Sequence, residues 1–101
     1  MKSFGDMVKQ AQKMQKQMGE LQERLAEERF EASAGGGAVT ASVDGKQMLK
    51  SLKIRPEALS DGDPSLIEDL ILAAVGEAQR ASEQKMNEAL SNLTGGFKLP
   101  F

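Results

Sequence analysis

Residues 30–45 read Phe30-Glu31-Ala32-Ser33-Ala34-Gly35-Gly36-Gly37-Ala38-Val39-Thr40-Ala41-Ser42-Val43-Asp44-Gly45, and this stretch decides the fold. Apolar and polar residues alternate through Phe30, Ala32 and Ala34, and again through Val39, Ala41 and Val43. A period of two is that of a half-buried strand. Gly35-Gly36-Gly37 between them reads as a turn. A phosphate-cradling loop would need a Gly-Lys-Ser/Thr ending and a helix directly after it; here a strand follows. Asp44-Gly45 is a two-residue hairpin signal, so a third strand is expected before Pro56 stops it. Strands over about 29–34, 38–44 and 47–54 form a three-strand antiparallel meander, with Lys46, Lys50 and Lys53 on its solvent side.

Toward the N-terminus the period changes. Phe4, Met7, Ala11, Met14, Met18, Leu21 and Leu25 are spaced alternately three and four residues apart, a heptad seam. Ser3 with Asp6 resembles a capping box, so a helix is expected over about 4–28. Gly19 weakens it by about 1 kcal/mol relative to Ala. Gln10, Gln15, Gln17 and Gln22 flank the seam, so charge pairs do not select its partner. Lys2, Lys9, Lys13 and Lys16 fall together on the face away from the seam. Such a stripe is either a solvated helix face or a track for phosphates. The other outward positions nearby are mostly Gln, which hydrogen-bonds phosphate and sugar.

Toward the C-terminus, Pro64 suits a first helical position and Ser65-x-x-Glu68 a capping box. The helix starts at Asp63-Pro64-Ser65 or at Ser65 itself and is expected over about 64–93. Leu66, Ile67, Leu70, Ile71, Ala74, Val75, Ala78 and Ala81 form its apolar face. Asp61-Gly62-Asp63 lacks the remaining spacing of a calcium loop; acids here suit a turn and a helix N-terminus. Gly95-Gly96 ends the helix. Residues 94–101 form a tail ending Phe97-Lys98-Leu99-Pro100-Phe101, expected to dock on the body.

Composition excludes much chemistry. The chain of 101 residues has no Cys and no His, which removes thiolate and imidazole catalysis and His- or Cys-based metal sites. No cofactor, metal or small-molecule substrate is expected, and the protein is read as non-enzymatic. There is no apolar leader and no span-length apolar run, so a cytoplasmic protein without membrane contact is expected. The net charge is −2, mildly adverse to nucleic acid. It is segregated, however. Residues 1–19 carry four Lys against Asp6, whereas 57–77 carry six acids and no base. Two helices of roughly 35–40 Å exceed what one small sheet can cover. A homodimer is the simplest remedy.

The order helix, three strands, helix resembles the YbaB/EbfC family of bacterial nucleoid-associated proteins. The resemblance rests on Val8-Lys9-Gln10-Ala11-Gln12-Lys13-Met14-Gln15, the hairpin Gly37 to Gly45, the segment Leu66 to Ala78, and the ending Gly96-Phe97-Lys98-Leu99-Pro100-Phe101. It implies an α+β single domain, a tweezers-like homodimer with projecting helices, double-stranded DNA as partner and a place on the nucleoid. Lys2, Lys9, Lys13 and Lys16, with Arg80 and Lys85 on the second long helix, are the expected DNA contacts. The alternative reading is a prefoldin-like holdase or assembly factor whose Met-rich arms make promiscuous apolar contacts.

Overall fold

The computed structural model describes residues 3–60 and 62–93. Helix α1 (Phe4–Glu27) begins where expected: the Ser3 hydroxyl oxygen accepts the Asp6 N–H at 3.2 Å. It ends at Glu28, whose backbone is extended. Strands β1 (Phe30–Ala34), β2 (Val39–Val43) and β3 (Leu49–Ile54) form the expected antiparallel meander in the order β1-β2-β3. Ala41 is central, paired with Ala32 on one side and Leu52 on the other. Ser42 pairs with Ser51 but Val43 with Leu49, so Lys50 is the extra residue of a β-bulge.

The structure adds to one local reading and decides between two helix starts. Pro56 does more than stop β3: it opens a short helix, α2 (Pro56–Ser60). Proline's fixed φ and missing N–H suit a first helical turn. Helix α3 (Pro64–Leu93) is capped by Asp63 rather than by Ser65. The Asp63 carboxylate accepts the Ser65 N–H at 3.0 Å, and its carbonyl accepts the Ile67 N–H at 3.2 Å.

The core lies between α3 and the sheet. Val39, Ala41 and Ala74 are fully buried, with Ala34, Ile54, Leu70, Ile71 and Val75 packed around them. Ala74, Ala78 and Ser82, four residues apart, make the lane that presses on the sheet. Their small side chains let the helix backbone come close. Helix α3 covers β1 and β2 but leaves β3 exposed up to Ile54, its last residue. Leu49 and Leu52 are in register with the buried Val43 and Ala41, yet they stay 46% and 37% exposed.

The β2–β3 connection is not the two-residue turn that Asp44-Gly45 suggests. It runs from Asp44 to Met48, and Gln47, not Gly45, has the positive φ, at 68°. The Asp44 carboxylate replaces part of the turn's backbone bonding: one oxygen accepts the N–H groups of Lys46 at 2.8 Å and Met48 at 3.0 Å. Three elements meet at this turn. The Gly45 N–H donates to Leu25 O at the end of α1, and from α3 the Ser82 hydroxyl donates to Asp44 O at 2.7 Å and Gln79 to Gln47 O at 3.2 Å.

The long helices extend far past this junction. The radius of gyration is 19.4 Å and the extents are 69 × 23 × 16 Å, whereas a compact chain of this length has a radius near 13 Å.

Candidate nucleic-acid interface

Only the root of the α1 seam is buried within the chain. Leu21 and Leu25 are buried and Met18 half-buried, whereas Phe4, Met7 and Met14 are exposed. The outward face carries Lys9, Lys13 and Lys16, all exposed. At 100° per residue they lie within about 60° of one another. None is ion-paired with a described residue; the one salt bridge among the described residues joins Lys50 Nζ to Asp44 at 3.8 Å. Lys2 lies outside the described residues. Farther along the same lane come Glu20, Glu23 and Glu27. The stripe is therefore basic over the free half of α1 and acidic at its root.

The two cations of α3 do not share one surface. Arg80 stands in a shallow polar concavity with Glu83, Gln84 and Asn87. Lys85 lines the groove between the long helices, beside Leu21, Arg24, Glu28 and Glu88. Five helical positions separate them by about 140° around α3. The sheet lysines are exposed too. Lys53 pairs with Thr40 on the sheet face away from α3, and Lys50 leans toward Asp44.

Asp44 has a role that its local sequence pattern does not signal. The Asp44-Gly45 signature predicts only a turn residue, whereas Asp44 is a buried carboxylate. Burial by itself would push its pKa up. The Met48 and Lys46 N–H groups, with the Lys50 and Arg29 charges, outweigh that and hold it below the ordinary carboxylate value. Its role is to brace the turn beneath both arms.

Among the described residues no group of three or more acidic side chains could hold a metal ion, and no described helix is long and apolar enough to cross a membrane. Lys9, Lys13 and Lys16 thus form a row of exposed ammonium groups, without an ion pair to any described residue, on a projecting helix.

Residues 1–97 match the YbaB/EbfC DNA-binding family. The chain belongs to that family. A nucleoid-associated protein of Alkaliphilus metalliredigens is 44% identical over 98 residues, covering 97% of this chain and 86% of the relative. One from Acetivibrio thermocellus is 46% identical over 95 residues, covering 94% and 84%. These family and relative names are those of DNA-binding and nucleoid-associated proteins, not of enzymes. The crystal structure of the uncharacterized protein HP0035 from Helicobacter pylori superposes with a TM-score of 0.87, covering 94% of this chain and all of that one. At 22% identity it speaks for the fold: long helix, three antiparallel strands, long helix.

Proposed function

We propose that the protein is a nucleoid-associated protein that binds duplex DNA as a homodimer, mainly through phosphate contacts. The observation that carries this reading is the exposed stripe Lys9, Lys13 and Lys16, unpaired among the described residues, on a helix that projects from the body, in a chain of the YbaB/EbfC DNA-binding family. Lys2 extends the stripe in sequence. Arg80 and Lys85 add contacts where the arms of two subunits lie side by side. No Arg lies in the stripe to grip guanine bidentately, so the binding serves organisation of the nucleoid more than recognition of one site.

The homodimer is supported by the surface that α3 leaves uncovered. Leu72 is 72% exposed. It shares a face with Gln79, seven residues on, which reaches the β2–β3 turn. Leu72 therefore looks toward the β3 side, where Leu49 and Leu52 are also exposed. Two copies related by a two-fold axis would bury this patch against itself and present two stripes to one duplex.

The test is a gel shift with duplex DNA at low and moderate salt. Lys9→Glu, Lys13→Glu and Lys16→Glu together should abolish the shift while sedimentation still gives a dimer. A triple variant that shifts DNA as well as the parent would reduce the stripe to a solvated face and move the search to Lys46, Lys50, Lys53 and Arg55. The exposed Met7 and Met14 favour the holdase reading; it predicts suppression of a client's aggregation that the triple variant retains.

A further inference from the structure

The two long helices run antiparallel, and their described residues overlap along only part of α1. Leu21 and Leu25 of α1 share a groove with Lys85 and Ala89 of α3. Farther out, Met14 and Met18 share one with Leu93, the last described residue of α3. Leu93 thus stands level with the middle of α1. Beyond that point the seam continues uncovered, with Met7 60% and Phe4 81% exposed.

We propose that Phe97–Phe101 of the same chain docks along this outer half of the α1 seam. Because Leu93 itself lines the groove, the chain that follows is delivered to it. Phe97 is four residues on, at most about 14 Å. In Phe97-Lys98-Leu99-Pro100-Phe101 the apolar side chains alternate, so an extended segment turns all three to one side over about 13 Å. Pro100 biases Leu99 toward that extended backbone. On α1, Met14 to Met7 spans about 10 Å and Met14 to Phe4 about 15 Å. Lengths and apolar character match. Tethering favours this segment over any free one, since a short linker gives an effective concentration in the millimolar range.

The chain has no cysteine, so introduced pairs report without background. Met7→Cys with Leu99→Cys, in the full chain, should oxidise to a disulfide of single-chain mass. Lys9→Cys with Leu99→Cys, on the opposite face of α1, should do so about ten-fold more slowly. Equal rates, or a product of two-chain mass showing that a second copy's segment lies there, would overturn the proposal. An independent reading uses Met7→Cys alone. Deleting residues 97–101 should speed its reaction with a thiol reagent about ten-fold and leave Lys9→Cys unchanged. A Met7→Cys rate indifferent to the deletion would also overturn it.

Discussion

The N–H of Gly45 donates to the carbonyl oxygen of Leu25 at 2.7 Å, backbone to backbone. A Cβ on Gly45 would stand 2.6 Å from that oxygen and 2.9 Å from Leu25 Cα. Neither atom can rotate away. Glycine is required there by the closeness of α1 and not by backbone conformation.

Gly45→Ala should therefore destabilise the fold by about 1–3 kcal/mol, the range for overpacking. Gly19→Ala should do the opposite. A Cβ there meets nothing within 4 Å, and alanine gains up to about 1 kcal/mol in a helix interior. Urea unfolding of both variants checks the pair; a Gly45→Ala protein as stable as its parent would show that the junction yields.

Asp44 sets an acid limit. Its pKa is lower in the folded chain than the value near 3.9 of a free aspartate. The stabilisation is complete above that value and drains away as pH falls through the lower folded pKa. Asp44→Asn should lose stability at neutral pH and show a flatter decline between about pH 5 and pH 2. Parallel acid limbs in urea midpoints against pH would contradict this.

Two substitutions on α3 separate folding from assembly. Ala74 is completely buried against the sheet, so Ala74→Glu places an unpaired charge in the core and should cost several kcal/mol, on the order of 3–5. Leu72→Glu should leave the subunit folded by circular dichroism but shift sedimentation toward single-chain mass. A dimer untouched by Leu72→Glu would place the interface elsewhere.

DNA affinity should fall steeply with salt. Each phosphate contact contributes about −0.9 to the log–log slope, so eight lysines from two stripes give near −7 and partial engagement about −3 to −5. Lys13→Gln removes one contact per subunit and should flatten the slope by up to about 2. The loss should be similar for unrelated sequences, measured by fluorescence anisotropy; a loss confined to one sequence would point to base readout.

Much of this architecture is legible in periodicity. The change from a period of 3.5 before Glu28 to a period of two after Phe30 marks the α1–β1 junction within a residue or two, because burial on one face imposes each spacing. The β2–β3 turn is not legible in that way. Asp44-Gly45 carries the local signature of a tight hairpin, but Leu25 and Ser82, 20 and 38 residues away from Gly45 and Asp44 respectively, decide its shape. Local pattern also cannot distinguish the buried from the exposed part of a seam. Leu25 and Phe4 hold equivalent heptad positions, yet only Leu25 lies where the hairpin tip and α3 converge. The lysine stripe is readable in the heptad register; the separation of Arg80 from Lys85 follows from helical geometry once α3 is seated on the sheet.

The change of sign along the outer lane of α1, from Lys9–Lys16 to Glu20–Glu27, gives the helix an electric axis. The aligned peptide dipoles point the same way, positive at the N-terminal end. In the field of a polyanion the outer end is drawn in while the root is pushed back, which produces a torque as well as an attraction. Such a torque would turn the helix end-on toward a phosphate backbone before contact, at distances set by a screening length of about 8–10 Å. Reversing the lane, with acids outside and lysines at the root, would keep the net charge and invert that orientation.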